Sequence, residues 1–63
     1  MTKQDYELIA QVFERQYEAA SSLGEGDAME AIEDAVFDMA TAFEASNPRF
    51  DRKRFLAACG VTR

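Results

Sequence analysis

Cys59 is the only thiol in a chain of 63 residues that contains no histidine. Nucleophilic catalysis by a thiol needs a base beside it, and the usual Cys-His pair cannot be assembled within one copy of this sequence. Cys59 lies at the apolar end of a short helical segment, where it reads as a small buried hydrophobe. Glu30, Glu33, Asp34 and Asp38 follow helical spacing, so several carboxylates can share one face and meet a hard cation. Calcium and magnesium sites usually add carbonyl oxygens or a rigid loop to such a set. The Gly24-Glu25-Gly26-Asp27 segment has neither the length and spacing of an EF-hand nor the form of a phosphate-binding loop. Zinc and iron sites lack their soft ligands. An acidic helix face is then a solvated surface, and the chain is read as neither an enzyme nor a holder of a metal or other cofactor.

The remaining chemistry is electrostatic. Residues 1–47 carry eleven Asp and Glu against Lys3 and Arg15, a net −9, whereas residues 48–63 carry five Lys and Arg against Asp51, a net +4; together these give −5. A molecule of two signs invites docking of one part on another, within a chain or between two copies. Two helices followed by a basic third one also have the outline of a helix-turn-helix, whose last helix enters the major groove. Affinity for DNA comes largely from neutralising phosphates, and the acids of the first two segments repel a duplex unless they face away. A DNA-binding protein, or an acidic mimic of DNA that occupies a nucleic-acid-binding protein, is the alternative to a protein-interaction role.

Three helices must position these groups. Thr2 and Asp5 form a near capping box for a helix over about 3–23, along which Tyr6, Ile9, Ala10, Phe13, Tyr17 and Ala20 recur at steps of three and four. Gly24 supplies the left-handed residue that ends it. Asp27 and Glu30 form a second capping signal for a helix over about 28–45, with Ala28, Ile32, Ala35, Val36, Met39, Ala42 and Phe43 as its apolar face. Ser46-Asn47-Pro48 stops it, because the residue before proline leaves the helical region. Asp51 caps a third helix over about 52–59, Phe50 and Phe55 form a hydrophobic staple across that cap, and Gly60 closes the helix in a Schellman ending that brings Val61 to Leu56. No segment alternates apolar and polar residues with period two. The fold class is all-α: an antiparallel hairpin with a short third helix across it.

A domain of this size hides only about 60% of the surface its unfolded chain exposes, so its core is marginal. One cysteine makes no internal disulfide, which leaves oligomerisation as the usual support. Spare apolar residues point the same way. Leu8, Val12, Ala19 and Leu23 form a second stripe beside the main one on the first helix, the two covering roughly 200° of the wheel; either the third helix or another subunit covers the second. Phe37 falls on the face made by Glu30, Glu33, Thr41 and Glu44, opposite the apolar stripe of the second helix, and is read as a partner or dimer contact. Arg52, Lys53 and Arg54 occupy the first turn of the third helix, where the dipole disfavours cations. Glu14, Glu18, Glu33, Asp34 and Asp38 are the expected compensating acids. No stretch reaches the roughly 18 apolar residues of a membrane span, and the first residues do not resemble a signal peptide, so a cytoplasmic protein is expected.

The run Asn47-Pro48-Arg49-Phe50-Asp51-Arg52-Lys53-Arg54-Phe55-Leu56-Ala57-Ala58-Cys59-Gly60 resembles the ending of many small accessory proteins encoded by bacteriophages of actinobacteria, mycobacteriophages included. The opening Asp5-Tyr6-Glu7-Leu8-Ile9-Ala10 is similar to theirs as well. The resemblance implies a phage accessory protein acting in the host cytoplasm, and it names no catalytic residue. The expectation is a non-enzymatic helical protein that forms a dimer or higher oligomer and binds a host or phage protein. Leu8, Val12, Tyr17, Phe37, Arg49, Arg52, Lys53 and Arg54 are its candidate contacts, and Phe50, Asp51, Phe55 and Gly60 its structural residues.

Overall fold

A computed structural model of the chain describes residues 1–61, and these form three helices, α1 (Lys3–Ser22), α2 (Gly26–Ser46) and α3 (Arg52–Ala58), with no strand among the described residues. The basic residue Arg63, counted in the charge above, lies outside them. Thr2 Oγ1 accepts a hydrogen bond from the Asp5 N–H at 3.3 Å, and Asp5 Oδ2 accepts one from the Thr2 N–H at 2.8 Å, which completes the capping box. At the other end of α1, Gly24 has φ +69. The Glu25 N–H bonds the Ala20 carbonyl at 3.0 Å and the Gly24 N–H bonds the Ser21 carbonyl at 3.1 Å, a Schellman closure.

That closure leaves no spacer before the next helix. Glu25 is already the N-cap of α2 and makes no side-chain cap bond. The expected cap at Asp27 is therefore corrected: Asp27 lies inside the first turn, where its charge is favourable to the dipole but caps nothing. At the far end Asn47 is extended (φ −143, ψ 103), as the residue before Pro48 must be. Its Oδ1 accepts a bond from the Arg49 N–H at 3.1 Å, which sets the turn toward α3.

The cap of α3 is local chemistry throughout. Asp51 Oδ1 accepts from the Arg54 N–H at 3.1 Å, and the Phe50 and Phe55 rings meet at 5.5 Å across it. Gly60, at φ +75, ends the helix. The Val61 N–H reaches the Leu56 carbonyl at 3.1 Å and the Gly60 N–H reaches the Ala57 carbonyl at 3.0 Å. Val61 is thereby folded back into the core, 1% exposed.

Tyr6 near the start of α1 lies 4.9 Å, ring to ring, from Phe43 near the end of α2, so the two helices run in opposite directions, and α3 packs on both. The fully buried residues are mostly small: Ala10, Val36, Ala40, Cys59 and Val61, with Phe55 the one large ring among them. Around them Tyr6, Phe43, Phe50 and Phe55 form a connected aromatic cluster with centroid separations of 4.9 to 5.5 Å. Edge-to-face and tilted contacts of this kind add about 0.5–1.5 kcal/mol per pair to simple burial.

The buried face of α2 keeps Ile32, Val36 and Phe43 of the expected stripe but is shifted at its edges. Ala40 is fully buried while Ala35 and Ala42 are exposed, which turns the face by roughly 70° on a helix of 3.6 residues per turn. The turn brings Phe37 to the edge of the packed surface, half-buried against the core. Phe37 thus packs at the edge of the core instead of standing opposite it, because α3 lies along its side of α2.

Candidate interaction groove

The first turns of α1, the Asn47–Asp51 connection and α3 enclose an open groove of about 520 Å³. Its floor is apolar, built from Tyr6 and Ala10 of α1 with Phe50 of the connection and Phe55 of α3. The Asn47 amide donates to the Tyr6 hydroxyl at 3.4 Å, and the Tyr6 and Phe50 rings lie 4.9 Å apart. These two contacts tie the connection down on α1 and hold the floor in place.

Charge sits on the rim. Arg54 reaches Glu7 at 3.9 Å, but both side chains are about half or more exposed (63% and 48%), so the pair is weak and readily exchanged. Asp51 is committed to the cap of α3. Lys3 and Arg49 line the same groove and make no ion pair among the described residues. An aromatic floor beneath two uncommitted cations suits an apolar side chain with a carboxylate beside it, since a guanidinium matches a carboxylate through paired N–H donors.

Arg49 and Arg54 are thus brought together, and the other candidates are dispersed. Arg52 turns the opposite way, onto α2, where its Nη1 donates to Thr41 Oγ1 at 3.1 Å, lies 3.6 Å from Glu44 and places the guanidinium 5.9 Å from the centre of the Phe37 ring. Among the described residues the ion pairs of α3 with the first two helices are therefore Arg54–Glu7 and Arg52–Glu44, while Glu14 lies beside the far end of α3, at Gly60 and Cys59. Lys53 is exposed on α3. Tyr17 is half-buried against the core and is corrected from an exposed contact to a packing residue, as its place in the main stripe of α1 requires. Leu8 and Val12 are 60% and 47% exposed. Neither α2 nor α3 covers them, although their stripe adjoins the buried one, since the packed face of α1 ends at Ile9 and Phe13.

Cys59 is fully buried, and burial, with the Glu14 carboxylate adding to it, pushes its thiol up to about 11. A thiol held protonated in this way is a poor nucleophile. Glu30, Glu33, Asp34 and Asp38 do not converge, and among the described residues no three such donors come together as a metal site. None of the described helices is long and apolar enough to cross a membrane.

Lys3, Tyr6 and Glu7 are among the groove residues that sequence reasoning missed as site residues. The available signal was their placement on α1 on and beside the Tyr6–Ala10 stripe, which puts a cation and an acid along the edge of a buried face. Comparison with protein-family models, with curated proteins and with solved structures finds no match for this chain.

Proposed function

We propose that this chain is a non-enzymatic interaction protein, an accessory protein of the phage kind its ending resembles, acting in the host cytoplasm by holding a segment of a partner protein and by self-association. The observation that carries the proposal is the groove, where Lys3 and Arg49 stand without ion-pair partners among the described residues beside the Tyr6, Phe50 and Phe55 rings. The segment it suits carries a large apolar side chain next to Asp or Glu. Aromatic anchors flanked by arginine are the usual energetic centre of a protein interface. Nucleic acid is less favoured, because Arg52 is drawn onto α2 and Arg54 onto α1, which breaks up the basic face a groove-binding helix needs.

Selection from a random peptide library tests this directly. Enriched peptides pair an apolar residue with an acid, and Arg49→Glu weakens them at least tenfold with the helical signal unchanged. Peptides of unrelated composition, or binding indifferent to Arg49→Glu, would contradict the proposal.

A further inference from the structure

Leu8, Val12 and Leu23 are 60%, 47% and 71% exposed, and with Ala19, also exposed, they run in a line along the face of α1 that points away from the bundle. Their spacing is symmetric. Leu8 and Leu23 are equally far from the midpoint between Arg15 and Gln16, and so are Val12 and Ala19. The stripe consists of two neighbouring i+4 rows, Leu8-Val12-Gln16 and Arg15-Ala19-Leu23, in which Leu8 is matched to Leu23, Val12 to Ala19 and Gln16 to Arg15 by position. A two-fold axis through the midpoint turns one row onto the other, which is the self-complementarity an isologous contact demands and the ridge pattern that packs helix against helix.

Charge agrees with the same axis. Arg15 makes no ion pair among the described residues. In an antiparallel pair centred at this midpoint it comes level with Glu18 of the second copy to within about 3 Å along the axis, and with the second Arg15 to within about 1.5 Å, so that the two Glu18 must offset both cations, given a rise of about 1.5 Å per residue. The two Arg15 and two Glu18 side chains then form a neutral group around the axis. A lipid surface is a poorer occupant, since a chain of net charge −5 is repelled by the anionic headgroups that draw amphipathic helices to membranes.

We infer that a second copy of this chain covers the stripe, the two α1 helices packing antiparallel about a two-fold axis between Arg15 and Gln16. This gives a geometry to the self-association proposed above, rests on that part of it, and leaves both grooves open. A contact made by one exposed stripe of a single helix in each copy suits a weak, exchanging association better than a permanent one, so monomer and dimer exchange with concentration.

The test joins mass with position. Light scattering of the whole chain gives a mass that rises from monomer toward dimer with concentration, and Leu8→Asp holds it at monomer with unchanged helicity. Single cysteines are then crosslinked under mild oxidation, Cys59 being buried. Gln16→Cys links to itself. Leu8→Cys does not, since its two copies stand about 22 Å apart along the axis, but it links to Leu23→Cys when the two variants are mixed. Self-linking at Leu8→Cys, or a dimer that survives Leu8→Asp, would overturn this geometry and leave self-association standing. A wild-type monomer at every concentration would overturn both, and peptide capture by the groove would be unaffected.

Discussion

The guanidinium carbon of Arg52 lies 5.9 Å from the centre of the Phe37 ring, and this contact ties α3 to α2. Arg52 also donates to Thr41, whose own hydroxyl donates to the Phe37 carbonyl at 3.0 Å. A cation at the start of α3, unfavourable to its own dipole, is thereby compensated by a ring, a hydroxyl and the Glu44 carboxylate on the neighbouring helix.

Phe37→Asp accordingly lowers stability and does not simply dissociate an oligomer. Truncation of a fully buried Phe costs about 3–5 kcal/mol; a half-buried one with an added charge should cost ~2 kcal/mol. Denaturant unfolding of the variant checks this, and unchanged stability would return Phe37 to the free surface.

Phe55→Ala removes the ring shared by the staple and the aromatic cluster, at 5.5 Å from both Phe43 and Phe50. The expected loss is about 3–5 kcal/mol, enough to leave so small a domain largely unfolded at room temperature. A thermal melt close to wild type would mean that α3 contributes little to the core.

Gly60 needs its left-handed conformation, φ +75, more than it needs space, since an added Cβ would meet only Glu14 Cγ at 3.7 Å, an ordinary contact. Gly60→Ala should therefore cost about 1–2 kcal/mol from the backbone alone. The drop in unfolding midpoint measures it, and a neutral result would refute the closure described for α3.

The Cys59 thiol ionises near 11 when folded, against 9.0 for an ordinary thiol. Between these values the unfolded chain gives up a proton that the folded chain keeps. Stability from this group is complete below pH 9 and falls as pH rises to 11, by ~2 kcal/mol. Unfolding curves at pH 8 and pH 10.5 should converge in Cys59→Ala relative to wild type; equal alkaline losses in both would show that another group is responsible.

The features legible in the sequence are those that nearest neighbours decide. Thr2 with Asp5, Phe50 with Phe55 across Asp51, and Gly60 with Val61 each act within a few residues, so their chemistry is written locally. Ile32, Val36 and Phe43 were legible as the buried face of α2, but its edges were not, because Ala31, Ala35, Ala42 and Ala45 spread small apolar residues around the helix and alanine is at home inside or outside. Which side is buried was settled by where α3 docks, a long-range fact that exposes Ala42, buries Ala40 and recruits Phe37. The groove was half legible: Arg49 and Arg54 stood out as charges, whereas its floor joins Tyr6, Phe50 and Phe55 from three elements and exists only once they pack.

An NMR titration of isotope-labelled protein with a selected acidic, apolar peptide tests the groove most directly. The perturbed amides should centre on Lys3, Tyr6, Arg49, Phe50 and Ala58, with the Gly24–Ala28 turn and the outer face of α1 unmoved, and the shifts should vanish in Arg49→Glu. Perturbations centred on another face, or unchanged in that variant, would contradict the assignment of this groove as the site of interaction.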